Sequence, residues 1–168
     1  MIDWRDWVEE KFPDSKPEWI QEALEDEKSL LLPTEQFDTI VRALRLDDQA
    51  RFDSLHCIAG VDRKQYIEVV YILFAFSRNE RLKLKVRANN ELQEIPSITE
   101  LYPSADWHER EIYDMFGVYF RNHPDMRRIL MPDDWEGHPL RKDYVQPEFY
   151  NGWRIAAEEE HRTARPVN

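Results

Sequence analysis

The sequence predicts an α+β fold in which N-terminal helices pack on a mainly antiparallel sheet, followed by a short charged helix and a long extended C-terminal arm. Two early segments have apolar residues at helical spacing, and residues 51–89 divide into three strand-like segments. Beyond residue 117, prolines recur every seven to eight residues and exclude long regular elements. We therefore divide the chain into three parts: an N-terminal α/β domain (1–95), a helix with an extended docking segment (96–150) and a C-terminal tail (151–168).

Composition limits the class of protein. Hydrophobic residues make up 42% of the 168 residues and aromatic residues 12%, which is enough for a packed core. The formal net charge is −11, the opposite of what phosphate neutralisation by a nucleic-acid binder requires. The longest apolar run, residues 69–76, is far shorter than the roughly 20 residues of a transmembrane helix. The N-terminus lacks the basic start and apolar centre of a signal peptide, so we expect a soluble intracellular protein.

Cysteine and glycine usage argues against redox and nucleotide sites in this chain. The single Cys57 cannot form an internal disulfide, and an iron–sulfur cluster takes about four thiolates. Its apolar neighbours favour a buried small side chain over a nucleophile. The four glycines are widely scattered and form neither a GxGxxG motif nor a phosphate loop.

Two helices are predicted before the strands. Residues 2–12 form the first, with Asp3 placed to cap its start and Pro13 following its end. The acidic residues 18–27 fit either a helix or a loop, and residues 29–32 are typical of a brief buried strand. A second helix begins at Thr34, and its apolar residues fall on one face: Phe37, Ile40, Val41 and Leu44.

Three strands are predicted over residues 51–59, 66–76 and 82–89. The second is almost continuously apolar, which favours a central strand with both faces covered. The third alternates, with Leu82, Leu84, Val86 and Ala88 on one face and Lys83, Lys85, Arg87 and Asn89 on the other. The basic face fits a docking patch or a solvated face, and we favour the solvated face.

A short charged helix is predicted from Ser104 or Asp106 to Phe116, with Gly117 just beyond its end. Arg110 has Asp106 four residues before it and Asp114 four residues after it, so both carboxylates can reach its guanidinium. Charge pattern alone favours a solvated face here, because exposed ion pairs contribute only about 0–1 kcal/mol.

The long segment after this helix is rich in large apolar side chains despite its prolines. Structureless loops of this length are uncommon inside compact domains, and a disordered segment would be poor in such side chains. We therefore predict an arm that packs on another protein. Its basic groups Arg127–Arg128 and Arg141–Lys142–Asp143 would then pair with acidic residues of that partner.

The helix and arm together carry a resemblance. The motifs are Glu109-Arg110-Glu111, Asp114, Gly117, His123-Pro124, Arg127-Arg128-Ile129-Leu130 and Gly137-His138-Pro139-Leu140-Arg141-Lys142-Asp143-Tyr144. In order, spacing and identity they resemble the C-subunit, or 30-kDa subunit, of respiratory complex I (NADH:quinone oxidoreductase). Residues 1–95 resemble the N-terminal domain of that family only in length and pattern.

The resemblance implies a non-redox structural and assembly subunit of the peripheral arm of a proton-pumping complex. It implies no cofactor in this chain, with FMN, iron–sulfur clusters and quinone held by neighbouring subunits. The implied partners are the quinone-cavity subunit and adjacent iron–sulfur subunits, at the cytoplasmic side of a bacterial plasma membrane. The implied interface and positioning residues are Glu109, Arg110, Glu111, Asp114, His123, Arg127, Arg128, Arg141, Lys142 and Asp143.

Two alternatives remain open. Similar scaffold subunits occur in membrane-bound hydrogenases and in ferredoxin- or F420-linked relatives, and the electron donor, quinone type and coupling ion belong to other subunits. A free-standing metal-dependent enzyme is the second alternative, because His108 and Glu111 share one side of the helix and suit hard or borderline metals. No complete ligand pattern such as HExxH accompanies them.

Overall fold

The computed structural model describes residues 2–21, 28–88 and 93–155 and shows three helices on one face of a five-stranded sheet. This confirms the predicted α+β class. The elements in chain order are α1 (Trp4–Lys11), β1 (Glu18–Gln21), β2 (Lys28–Leu31), a 3-10 turn (Thr34–Gln36), α2 (Phe37–Leu46), β3 (Ser54–Asp62), β4 (Ile67–Ala75), β5 (Glu80–Ala88), β6 (Glu94–Pro96), α3 (Ala105–Phe116), β7 (Tyr119–Arg121), β8 (Phe149–Tyr150) and β9 (Trp153–Arg154).

The main sheet has the strand order β1-β2-β5-β4-β3. Strands β3, β4 and β5 form the predicted antiparallel meander, while β2 pairs with β5 in parallel. Strands β6 and β7 form a separate parallel pair, and β8 and β9 a short hairpin. Residues 18–21 form a strand paired with β2, so the expected helix or loop is wrong there. Residues 22–27 lie outside the described residues.

The first two helices form as their sequences predict. The Asp3 side chain accepts hydrogen bonds from the backbone N–H groups of Arg5 and Asp6, which satisfies two N-terminal donors of α1. The predicted apolar face of α2 is fully buried. It meets the sheet where the ring of Phe37 lies 4.7 Å from that of Tyr71 on β4. Burial of these large side chains is the main stabilising term of the helical layer.

The interior strand β4 differs from its prediction on one face. Its alternate residues Ile67, Val69, Tyr71, Leu73 and Ala75 are buried under the helices. The residues between them include Val70, Ile72 and Phe74, which are only half-buried. The strand is interior, between β5 and β3. The described residues fully bury one of its two faces and only partly bury the other, so the expectation that both faces are covered is wrong.

The basic face of β5 is solvated only in part, since Arg81 is exposed and Lys83 and Arg87 are half-buried. Lys85 is buried, and its ammonium lies 3.2 Å from the carboxylate of Glu68 on the neighbouring strand. Glu68 is buried as well and also binds Arg63 at 2.9 Å. A charge can be buried only when it has such a partner. The carboxylate of Glu68 therefore allows Lys85 to lie inside the fold instead of facing water. Asn89, expected on the same face, lies outside the described residues.

Helix α3 is part of the same core. The described apolar cluster runs from Trp4 to Phe120 and includes Ile112, Met115 and Phe116 of α3. A Cβ on Gly60 of β3 would lie 2.6 Å from the ring of Phe116, so glycine allows this close approach of helix to sheet. The expected boundary at 95/96 falls inside β6, and core residues lie on both sides of it.

Candidate functional site: the anchor of the arm on helix α3

The C-terminal end of α3 is bound by the arm, which we define as residues 122–148. The last four carbonyls of a helix lack partners within it and need other donors. Gly117, in the left-handed conformation with φ 78°, satisfies the carbonyl of Tyr113. The arm binds the other three: Asp114 O by His138 Nδ1 (2.9 Å), Met115 O by the Leu140 N–H (3.0 Å) and Phe116 O by the Arg141 guanidinium (3.4 Å).

The carboxylate of Asp114 is the centre of this anchor and is fully buried. Its Oδ1 accepts a hydrogen bond of 2.6 Å from Arg128, the partner in its ion pair. Its Oδ2 accepts from three successive backbone N–H groups of the arm, those of Ile129 (3.1 Å), Leu130 (2.7 Å) and Met131 (2.8 Å). The carboxylate therefore holds both a side chain and a curved stretch of backbone of the arm.

These contacts decide the ionisation of Asp114. Burial opposes the charged form, but the hydrogen bonds from the Met131 N–H, the Arg128 guanidinium and the Leu130 and Ile129 N–H groups outweigh it. Together they hold the pKa of the Asp114 carboxyl below its ordinary value of 3.8. The negative charge of Asp114 is thus balanced inside the fold by the positive charge of Arg128.

Arg128 and Arg110 hold the arm from two sides. Arg128 also donates to the carbonyls of Trp135 and Gly137, each at 2.9 Å, which closes the loop between them. Arg110, 6% exposed, donates to the carbonyls of Arg127 and Arg128 at 3.3 Å. The expected pairing of Arg110 with Asp106 and Asp114 is wrong, because Asp114 is bound to Arg128. Arg110 instead lies 3.9 Å from Asp125.

Glu109 points from α3 into the core on the opposite side of the helix from Trp107. Its carboxylate accepts from the Ile98 N–H (2.9 Å) and the Ser97 hydroxyl (2.6 Å). Burial raises the pKa of Glu109 to about 7. The two hydrogen bonds oppose this rise, and the nearby charge of Asp106 adds to it. The residue thus ties α3 to the segment that follows β6.

His123 and Arg127 stabilise the start of the arm. The His123 ring is buried, and its Nδ1 accepts from the Asp125 N–H at 3.0 Å. Its Nε2 therefore carries the proton and lies 3.3 Å from the carbonyl of Asp106. Arg127 is exposed and pairs with Asp125 at 2.9 Å. These residues form a turn, which sets the direction of the arm as it leaves β7.

The basic group near the end of the motif is also bound within the chain. Arg141 pairs with Asp143 (3.0 Å) and donates to the side chain of Gln93 (2.9 Å). The backbone N–H of Lys142 donates to Asp62 at 2.7 Å, while the Lys142 side chain is exposed. Arg128 and Arg141 were expected to pair with acidic residues of a partner. Instead, Arg128 pairs with Asp114 and Arg141 with Asp143, both within this chain.

Asp62 is a site residue that the sequence analysis missed. It lies buried at the end of β3 and accepts from the Lys64 N–H at 2.6 Å and the Lys142 N–H at 2.7 Å. The hydrogen bond from Lys142, opposed by burial and aided by that from Lys64, holds its pKa below the ordinary value. Its position in a turn signals the local bond to Lys64, but the contact with a residue 80 positions away has no sequence signature.

Glu111, the remaining predicted site residue, is exposed, and His108 is partly exposed. Within residues 2–21, 28–88 and 93–155, no three His, Cys, Asp or Glu side chains are grouped as a metal site needs. The geometry around α3 immobilises the arm through buried hydrogen bonds and an ion pair.

We expect Asp114→Asn to destabilise the folded chain by about 3–5 kcal/mol, because the mostly buried Arg128 loses its charged partner. Chemical denaturation of the purified chain at pH 7 measures this loss. Since the pKa of Asp114 is lowered, its stabilisation is present above pH 3.8 and is lost as pH falls below that value. The difference in unfolding free energy between wild type and Asp114→Asn should therefore become smaller in acid. Asp143→Asn is the matched control: its carboxylate is exposed, and equal losses in both variants would contradict the assignment.

We expect Glu109→Gln to gain stability relative to the wild type as pH rises. The raised pKa means that the wild type is most stable below pH 4.5 and loses stability as pH rises from 4.5 through about 7. Glutamine keeps both hydrogen bonds without the charge, so the difference in unfolding free energy should shift by roughly 2–3 kcal/mol between pH 5 and pH 8. Urea titrations at several pH values measure it, with Glu111→Gln as the control for net charge. A pH-independent difference would contradict the prediction.

Comparison with known proteins gives the family of this chain. Residues 30–150 match the family described as respiratory-chain NADH dehydrogenase, 30 Kd subunit. The NADH-quinone oxidoreductase C-subunit of Chloroherpeton thalassium is 48% identical over 114 residues, which are 67% of this chain and 48% of that protein. The protein of the same name from Roseiflexus sp. is 47% identical and 68% of each chain is covered. The chain thus spans about half the length of the Chloroherpeton relative.

Two solved structures share the fold. The trypsin-resistant fragment of Nqo5 is 27% identical, with a TM-score of 0.60 and coverage of 71% of this chain and 97% of the fragment. A chain of an archaeal respiratory membrane complex, the membrane-bound sulfane sulfur reductase, is also 27% identical, with a TM-score of 0.66 and coverage of 83% and 82%. Among the helices of the described residues, none is long and apolar enough to cross a membrane. The chain belongs to the family of 30-kDa subunits of respiratory-chain NADH dehydrogenase, which includes the C-subunits of NADH-quinone oxidoreductases.

Proposed function

We propose that this chain is a non-redox structural and assembly subunit of the peripheral arm of a proton-pumping NADH:quinone oxidoreductase. The observation that carries the proposal is the contrast between the two sides of the arm. Its backbone is fixed to α3 by buried hydrogen bonds, while large apolar side chains on and beside it face solvent. These are Trp107, Leu130, Leu140, Val145, Phe149 and Trp153.

Such an arrangement suits a docking surface. Large apolar side chains exposed near one another mark sites of protein association. Because the arm is already held in one path, little conformational entropy is lost when a partner covers it. We infer that the partner is the quinone-cavity subunit of the complex, with adjacent iron–sulfur subunits nearby. The protein would lie on the cytoplasmic side of a bacterial plasma membrane as a peripheral protein.

We also propose that this chain itself binds no cofactor, and that FMN, iron–sulfur clusters and quinone belong to neighbouring subunits. The single cysteine and the absence of a Gly-rich phosphate motif in the sequence support this division. On this proposal, Glu109, Arg110, Asp114, His123 and Arg128 act by positioning the arm. Glu111, Arg127, Lys142 and Asp143 are exposed and are the candidates for direct contact with partners.

The second candidate is the equivalent scaffold of a different respiratory membrane complex. The likeness to a chain of the archaeal sulfane sulfur reductase complex favours it, because that chain has the same fold and matches 83% of this chain, against 71% for the Nqo5 fragment. The identity of 47–48% to NADH-quinone oxidoreductase proteins favours the NADH:quinone complex.

Affinity capture of the tagged chain from gently solubilised native membranes, followed by mass spectrometry, separates these candidates. We expect recovery of the quinone-cavity subunit together with flavin and iron–sulfur subunits. Hydrogenase or sulfur reductase subunits in their place would support the second candidate. A lone stable chain would overturn both scaffold proposals.

We expect Arg110→Ala to lower the amount of assembled complex in membranes. The guanidinium holds the backbone carbonyls at positions 127 and 128, so its loss frees the first half of the arm. Native gel electrophoresis with activity staining measures assembly, and circular dichroism of the isolated variant shows whether the α/β core still folds. Arg5→Ala, an exposed arginine paired with Asp6 on α1, is the control. Wild-type amounts of active complex in Arg110→Ala would refute the prediction.

A further inference from the structure

The two edges of the main sheet differ in length and in protection. The edge strand β1 has four residues, follows Pro17 and begins with the exposed Glu18. Short strands, prolines and charged side chains are features that keep an edge from pairing with another chain. The opposite edge strand, β3, has nine residues, and from Ser54 to Val61 it contains no proline, lysine, arginine, aspartate or glutamate. It therefore lacks most of this protection.

The register of β3 on β4 determines which of its backbone groups are already bound. In an antiparallel pair, alternate residues of a strand bond to the neighbour, and the residues between them point away from it. The N–H of Arg63 donates to the carbonyl of Tyr66 at 3.0 Å, just beyond the end of β3. The same pattern recurs every second residue along the pair, so the residues of β3 that bond to β4 are Val61, Ala59 and Cys57.

The residues between these direct their N–H and C=O groups away from β4. We call them the outward groups of β3, and they belong to Ile58, Gly60 and Asp62. No described residue forms a hydrogen bond with them. Gly60 has no side chain, so its partial exposure is that of the main chain itself. A row of unpaired N–H and C=O groups matches the backbone of another extended strand.

A β-bulge limits the regular part of this edge. The register between β3 and β4 shifts between Leu55 and Cys57, where His56 is the extra residue. Because a bulge bends its strand and interrupts the ladder, the regular part of the edge runs from Cys57 to Asp62. This stretch, which we call the β3 edge, has the length of a common strand, about 5–6 residues. It is therefore long enough to pair with one more strand.

The end of the β3 edge has positive charges that the chain leaves unpaired. A cavity of about 270 Å³ lies there, lined by Asp62, Lys64, Arg141, Lys142 and Asp143. The carboxylate of Asp62 accepts from two backbone N–H groups, and that of Asp143 is bound by Arg141. Lys64 and Lys142 are exposed, and neither ammonium group has an ion pair with a described carboxylate. Two positive charges thus remain for an acidic group from another molecule.

These features favour an extended segment of another protein over a second copy of this chain. Two copies repel each other, because each has a net charge of −11. In a two-fold pair of β3 edges centred on Gly60, Lys64 would lie beside the second copy's His56 and not beside a carboxylate. An extended segment with a carboxylate near one end complements both the outward groups and the two lysines.

We propose that the β3 edge receives an extended segment of another subunit, which joins the sheet as a further strand and places a carboxylate beside Lys64 and Lys142. The inference rests on the proposed function, since it requires the chain to lie in a complex of several subunits. It adds a second contact, made by main-chain hydrogen bonds and not by the apolar side chains near the arm. The main chain supplies the affinity of such a contact, and the charged pair fixes its register.

Amide hydrogen exchange tests whether a strand is added. In the isolated chain, we expect the N–H of Gly60 to exchange faster than those of Ala59 and Val61, because β4 binds only the latter two. In the purified complex, the N–H of Gly60 should exchange at least about tenfold more slowly, because a partner strand accepts from it. Mass spectrometry with residue-resolved fragmentation measures both states.

The exchange experiment also separates this inference from the proposed function. Slow exchange of Gly60 already in the isolated chain would mean that the chain itself covers the edge, and it would overturn the inference. If Gly60 exchanges equally fast in a complex that contains the chain, the proposed function stands and the added strand is wrong. If no complex incorporates the chain, both fail.

Photo-crosslinking identifies the added strand. Crosslinking residues placed at positions 59 and 61 lie on one side of β3, because successive side chains of a strand alternate. They should join to residues two apart in a single peptide of another subunit, as strand pairing requires. Crosslinks to a second copy, or to residues 156–168 of this chain, would overturn the inference.

Charge reversal tests the acidic group. We expect Lys64→Glu to lower the amount of assembled complex several-fold on native gels, because two negative charges would then face each other. Lys16→Glu is the control, since this exposed lysine lies beside the opposite edge strand and its reversal changes the net charge equally. Equal amounts of complex in the two variants would overturn the inference.

Discussion

The buried carboxylate of Asp114 is the constraint on which the rest of the site depends. A charge inside a protein is tolerated only when hydrogen bonds and an opposite charge replace water. Here every replacement comes from residues 128–131, so the arm must return to the end of α3 for the carboxylate to be satisfied. The three helix carbonyls bound by His138, Leu140 and Arg141 extend this requirement along the arm. One acidic residue on one helix thereby determines the path of a segment that has almost no regular structure.

Helix α3 has buried charged side chains as well as exposed ones. Glu109, Arg110 and Asp114 are buried, whereas Glu111 faces solvent. Glu109 binds the segment after β6, while Arg110 and Asp114 both bind residues 127–131 of the arm. Buried ion pairs add little net stability but are costly to break, so they favour one arrangement of loops over others. The raised pKa of Glu109 shows the opposite balance to that of Asp114, because two hydrogen bonds do not fully offset burial. The same helix thus carries one carboxyl whose pKa is lowered and another whose pKa is raised to about 7.

On the proposed function, this construction suits a subunit that binds other proteins. A docking segment that is fixed before assembly loses little entropy when a partner covers its exposed apolar side chains.

The sequence by itself determined the elements: the apolar periodicity of α2, the β3–β5 meander, the limits of α3 and the irregular path after it, because these depend on neighbouring residues. It also contained the motif residues, and through them the family. It could not determine which charges pair. Helical spacing placed Asp106 and Asp114 beside Arg110, yet Asp114 binds Arg128, and alternation placed Lys85 in water, yet it binds Glu68. Asp62 gave no sign of its bond to Lys142. Only the tertiary structure decided these partners, because burial removes water and makes a distant donor the one that satisfies each carboxylate.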